Sequence, residues 1–161
     1  SQHYDAIRAL LTSGVDPHEN KEEFARLFVA DRRVHADVIT SLLDQGIHVV
    51  CDRYKYSTIV YQATQGMDQQ ELIAMHEGLP VPDLAVILDA PAEVAVSRIQ
   101  VDDVRTHAEI FEKTEFLEKL RKGYLDLKNV LKDENIVVVD VTASQDEVFE
   151  RICQIVNPLF V

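Results

Sequence analysis

Apolar positions along the chain fall into two patterns. Three runs are short and continuous: Ile47-His48-Val49-Val50-Cys51, Leu84-Ala85-Val86-Ile87-Leu88 and Ile136-Val137-Val138-Val139. They are too unbroken for half-exposed strands and too short for helices, which predicts parallel strands covered on both faces. Between them apolar residues recur at three- and four-residue steps, which predicts amphipathic helices. The first such stripe uses Phe24, Leu27, Phe28, Val34, Val38, Ile39 and Leu42, with Asn20-x-x-Glu23 placed as a capping box and Gly46 just past its end. A second helix is expected from Ser57 to Gln65 before Gly66, and a third from Asp68-x-x-Glu71 through Leu72, Met75 and Leu79. A fourth should start at Pro91, since proline suits the first helical position. Phe116, Leu117, Leu120, Tyr124, Leu127 and Leu131 predict a fifth, and the capping box Ser144-Gln145-Asp146-Glu147 opens a last one.

Strands alternating with helices predict an α/β fold, a doubly wound parallel sheet with helices on both faces. In such sheets ligands bind beyond the carboxyl ends of the strands, so the residues directly after each apolar run carry the candidate chemistry. The length of 161 residues suits a single domain over 1–161, and 47% apolar residues exclude a disordered chain. With 28 acids against 16 bases and a net charge of −12, neither a nucleic-acid nor a membrane surface is expected. A small anion held by a few placed arginines remains compatible with that charge. No apolar run reaches transmembrane length and no leader pattern opens the sequence, so a cytoplasmic protein is expected. Cys51 and Cys153 sit in apolar stretches and read as buried hydrophobes rather than a disulfide or metal pair. The six histidines show no paired ligand spacing. The polar stretch from Gln100 to Glu109 reads as a mobile loop.

The first apolar run ends in Asp52-Arg53-Tyr54, an acid and an arginine at the ligand edge of the predicted sheet. Arginine there can clamp phosphate bidentately, and the carboxylate can hold magnesium-bound water or orient a basic group; a surface ion pair is the plain alternative. Phe28 and Arg32 are four apart and share a helix face, so a ring and a guanidinium could meet one flat polar ligand, or Phe28 belongs to the core and Arg32 to solvent. Ser57, Thr58, Tyr61 and Gln62 follow, groups suited to sugar and base edges.

Four blocks in order then resemble the thymidylate kinase family: Phe28-x-Ala30-Asp31-Arg32, Asp52-Arg53-Tyr54-x-x-Ser57-x-x-x-Tyr61-Gln62, Pro82-Asp83-Leu84-x-x-x-Leu88-Asp89-x-Pro91, and Phe116-x-Glu118-Lys119-Leu120-Arg121-x-Gly123-Tyr124-Leu125. The resemblance runs from about Ala6 to the last helix. It implies ATP- and Mg²⁺-dependent phosphorylation of deoxythymidine monophosphate (dTMP) to the diphosphate, by a symmetric dimer packed through helices that include the Phe24–Leu43 stripe. It further implies that Phe28 stacks on thymine, Arg32 hydrogen-bonds the base, Arg53 grips the monophosphate and Asp52 lies near the magnesium. Thr58 would face the base, and Tyr61 would pack beneath the deoxyribose. The segment 100–113 corresponds to a lid, with Arg98 and Arg105 as charge stabilisers on the donor side.

The family opens with a strand, a Gly-x-x-x-x-Gly-Lys-Ser/Thr loop and a helix. The five glycines, at 14, 46, 66, 78 and 123, include no pair at that spacing followed by lysine. The expectation is therefore that an upstream segment carrying this loop precedes Ser1, and that residues 1–161 alone do not transfer phosphoryl groups, because that loop cradles the donor phosphates. Two other readings stand beside the kinase: a non-catalytic nucleotide-binding module of the same fold, and a kinase acting on deoxynucleosides.

Overall fold

The protein is described by a computed structural model covering residues 3–13, 20–101 and 114–160. It comprises two compact units, 1–81 and 82–161.

The first unit is helical. α1 (Tyr4–Thr12), which the apolar pattern had not suggested, packs on α2 (Lys21–Asp44). α2 in turn meets α3 (Lys55–Thr64), and α3 meets α4 (Gln69–Met75). Phe24, Ala25, Val29 and Ala36 of α2, Ile59 and Val60 of α3 and Leu72 of α4 are all buried. Asp68 caps α4 by accepting from Glu71 N–H at 2.9 Å. The expected box at α2 is absent, since the Asn20 side chain makes no capping bond. Both long helices end on a left-handed glycine. Gly46 (φ 73°) and Gly66 (φ 91°) turn the chain so that Ile47 N–H and Met67 N–H reach back to Leu42 and Gln62 carbonyls, both at 3.0 Å. At Gly66 the space is also claimed by Lys21 Nζ, which donates to the Gln65 and Gly66 carbonyls at 3.3 and 3.2 Å and so satisfies the end of α3 with a cation.

The strand expected at Ile47–Cys51 does not form among the described residues, and Val50 is 97% exposed. An apolar run supplies side chains for a strand, but only a hydrogen-bonded neighbour makes one. Cys51 is accordingly exposed rather than buried.

The second unit holds the sheet. β1 (Ala85–Asp89) and β2 (Ile136–Asp140) pair in parallel, Ala85 opposite Ile136 through Asp89 opposite Asp140. α5 (Ala92–Val101) follows β1 directly, with Pro91 contributing its carbonyl to the first turn. α6 (Thr114–Val130) lies on both strands and against α5, burying Phe116, Leu120 and Leu127. α7 (Gln145–Val156) packs on β2 and opens with the full capping box, Glu147 N–H donating to Ser144 Oγ and Ser144 N–H to Glu147 Oε2. Coverage of the strands is one-sided compared with the expectation: Val139 is buried, whereas Leu88 is 58% exposed. Among the described residues no helix is long and apolar enough to cross a membrane.

Candidate functional site

The turn between the extended segment and α3 brings most of the candidate residues together. Arg53 has φ 63°, the single non-glycine residue with positive φ among those described. A bulky residue held there costs about 1–3 kcal/mol, so the surroundings must enforce it. They do so from several directions. The Arg53 carbonyl accepts from Arg32 Nη1–H at 3.1 Å and from the Cys51 thiol at 3.3 Å. Its side chain donates from Nε–H to Ser57 Oγ at 3.2 Å and lies over the Tyr61 ring, 5.0 Å from the centroid. The next residue, Tyr54, sits beneath the Arg32 guanidinium at 5.5 Å and donates its hydroxyl proton to the Pro80 carbonyl at 3.1 Å.

Arg53 therefore projects beside the start of α3. That helix has no acidic residue in its first turn and no side-chain cap, so its leading N–H groups and the guanidinium together favour an anion. The first turn also carries Lys55, buried and set over the Tyr56 ring at 5.5 Å.

α2 carries two further candidates, of which Arg32 reaches this turn. Phe28 is half-buried, its ring stacked on Phe24 at 6.2 Å between centroids and 23° between planes. One turn later Arg32 is half-buried, and burial lowers its pKa despite the opposing influence of Cys51 and Asp31. Its Nε–H is buried with no hydrogen-bond partner. Such a donor is costly to leave unmade, about 1–3 kcal/mol, and marks a place where a ligand oxygen would be accepted. The neighbouring Arg33 donates through Nη2 to Met75 and Glu77 carbonyls at 3.0 and 3.4 Å, closing the end of α4.

His76, just past α4, was assigned no role from sequence. It is 4% exposed, and its Nδ1 lies 2.7 Å from the Leu72 carbonyl. A carbonyl only accepts, so Nδ1 carries the proton and Nε2 presents a lone pair, buried and without a partner. Burial lowers its pKa below the ordinary histidine value; the bond to Leu72 opposes this, while the charges of Arg32, Lys55 and Arg33 add to it.

The remaining predicted residues are placed as follows. Asp52 is exposed beside Arg53. Thr58 and Gln62 are buried, Gln62 donating from Nε2 to Gln65 Oε1 at 3.0 Å. In the second unit Arg98 is exposed and donates through Nη2 to the Val141 carbonyl at 2.7 Å. Arg105 and most of the segment 100–113 lie outside the described residues. At the carboxyl end of the sheet Arg121 grips Asp89 with two bonds, Nε–H to Oδ1 at 2.7 Å and Nη2–H to Oδ2 at 2.9 Å. Both residues stand in the quoted sequence blocks, but nothing local in the sequence pairs them.

The parallel pair of strands with helices packed on it defines an α/β class of protein. Comparison with known proteins narrows it. A sequence profile described as thymidylate kinase matches residues 4–152. A protein of Methanococcus maripaludis named "Probable thymidylate kinase" is 39% identical over 139 residues, covering 83% of this chain and 67% of its own length. Similarly named proteins of Saccharolobus solfataricus and Methanocaldococcus jannaschii are 36% and 37% identical, over 81% and 91% of this chain and 65% and 72% of their own lengths. The solved structure of thymidylate kinase from Candida albicans superposes with a TM-score of 0.72 at 23% identity, covering 98% of this chain and 75% of that one. The chain belongs to the thymidylate kinase family, a family of phosphotransferases. It spans about two thirds of the length of the first two of these relatives.

Proposed function

We propose that the protein phosphorylates dTMP to the diphosphate, taking the γ-phosphoryl group of ATP, and that the first unit is its acceptor site. The observation that carries this reading is Arg53, held in a left-handed turn with its guanidinium fixed by Ser57 and Tyr61 beside an uncapped helix N-terminus. That combination suits a dianionic monophosphate, because the donors are preorganised and the dipole adds to the charge. Phe28 offers the ring for the base, and the unpartnered Arg32 Nε–H offers a donor for a base carbonyl. Tyr61, whose ring lies under Arg53, is proposed to pack against the sugar. On the donor side Arg98 and Arg105 are proposed to offset charge on the ATP phosphates.

Asp52 is the residue proposed to hold Mg²⁺, through water. An exposed single carboxylate fits this ion, which usually takes one or two carboxylates, several waters and the substrate phosphates. When bound, magnesium neutralises charge on the phosphates. A homodimer is proposed through the outer face of α2, where Val34 and Val38 are 38% and 56% exposed one turn apart.

Calorimetric titration tests the acceptor site. dTMP should bind more tightly than thymidine, and more tightly than the cytidine and guanosine monophosphates. Equal affinity for dTMP and thymidine would remove the phosphate grip; equal affinity for all monophosphates would remove the thymine specificity.

A further inference from the structure

Arg32 contacts the phosphate-gripping turn through its backbone, by a bond separate from any base contact. Its Nη1–H donates to the Arg53 carbonyl, while its Nε–H faces away from that bond with no partner. Arginine has a rigid planar fork, so a ligand atom on Nε–H and the Arg53 carbonyl on Nη1–H are fixed relative to each other. The carbonyl it holds belongs to the residue in the left-handed conformation. Rotation of Arg53 back to an extended or right-handed backbone would turn that carbonyl and redirect the side chain away from Ser57 and Tyr61. The Cys51 thiol is a weak donor to the same oxygen, so Arg32 supplies the stronger bond. The Tyr54 ring beneath the guanidinium, tied by its hydroxyl to Pro80, restricts Arg32 from the other side.

We propose that Arg32 is a positioning residue for the phosphate grip: by holding the Arg53 carbonyl it latches the left-handed turn that aims the Arg53 guanidinium, and so couples base recognition to phosphate recognition. This rests on the dTMP reading for its ligand, but the latch itself belongs to the unliganded chain.

The test uses the full chain with Arg32→Met, which removes the donors at similar length, and Arg32→Lys, which keeps the charge and gives a second variant should the first not fold. The first readout needs no nucleotide. The ¹³Cα and ¹³Cβ chemical shifts of Arg53 should carry the left-handed signature in the wild type and lose it in both variants. Retention of that signature in a folded variant overturns the latch. The second readout is the ratio of dTMP to thymidine affinity by calorimetry. Arg32→Lys should lower this ratio about fivefold or more, and in an Arg53→Ala background the same change should alter it by less than about twofold. A residue that served the base alone would weaken both ligands equally and leave the ratio unchanged, which overturns the coupling. If the wild type binds neither ligand, the dTMP reading falls, and the Arg53 chemical shifts still decide the latch.

Discussion

Asp89 and Arg121, 32 residues apart, form a two-bonded ion pair that ties the carboxyl end of β1 to α6. The bond to Asp89 is also the main reason the Arg121 pKa is raised. The pair closes one side of a rim in which β1 and β2 end on register partners, Asp89 and Asp140. Asp140 is turned instead to Thr142, whose N–H and hydroxyl both donate to it at 2.7 Å. These hydrogen bonds lower the Asp140 pKa.

Removing the pair should loosen α6 on the sheet. Arg121→Ala is expected to lower the melting temperature measurably and Arg121→Lys to lower it less, since lysine keeps the charge and loses the planar two-point fit. Scanning calorimetry that finds Arg121→Lys as stable as the wild type would show that the two-point geometry contributes nothing beyond charge.

For the phosphate grip, Arg53→Ala should weaken dTMP binding by about 2 kcal/mol, in the range of a charge-assisted contact, with thymidine affinity nearly unchanged. Calorimetry with both ligands checks this. A matched loss for thymidine would place Arg53 at the base or in the fold instead.

Phe28→Ala should cost roughly 1–3 kcal/mol of nucleotide affinity, the usual worth of a base stacked on an aromatic ring. The core ring is Phe24, at 2% exposure, and Phe28 lies on it half-buried, so the melting temperature should fall only modestly. A large drop in stability with affinity retained would mean that Phe28 serves packing alone.

His76 gives the protein a pH dependence of stability. Its pKa in the fold lies below the ordinary 6.5, so the native state binds fewer protons than the unfolded chain once the pH drops past that value. Stability from this residue is complete above pH 6.5 and is lost as the pH falls from there through the lowered native pKa. Groups facing it are Arg32 and Arg33 of α2 and Lys55 of α3, all cationic, so protonation has no counter-charge among them. His76→Gln should flatten the fall in melting temperature that sets in as the pH drops below 6.5. The loss tied to Asp140 and Glu147, whose pKa values are lowered, should persist in that variant at more acid pH, below 3.8 and 4.5 respectively. An unchanged profile would assign the whole acid transition to carboxylates.

The exposed face of α2 predicts association. Val38→Glu should convert a dimer to a monomer in light scattering without lowering helix content, because Val38 is 56% exposed and a charge there costs the single chain little. A wild-type monomer at high concentration would refute the dimer outright.

Local chemistry was largely legible along the chain. The span of α2, the Asp68 cap of α4, the capping box of α7, the two glycine-terminated helices and the strands at 85–89 and 136–140 follow from side-chain periodicity and backbone preference over a few residues, whereas the face that α2 buries, Phe24, Ala25, Val29 and Ala36, shares only Phe24 with the expected stripe. That Arg53, Ser57 and Tyr61 belong to one short block was legible too, but the contacts of Arg53 with the other two were not, because Arg53 precedes α3 and reaches it from a left-handed backbone. Other features were decided only in three dimensions. Ile47–Cys51 has the composition of a strand, yet a strand depends on a partner ladder that composition does not specify. Asn20 had the right spacing to cap α2 and does not, because the Asn20 backbone and side-chain angles decide whether the oxygen meets the N–H. The bond from Arg32 to the Arg53 carbonyl, the left-handed backbone of Arg53, the buried lone pair of His76 and the Asp89–Arg121 pair join residues distant in sequence or depend on burial. Those interactions exist only once packing has fixed distance and orientation and excluded water, and no pattern along the chain encodes either.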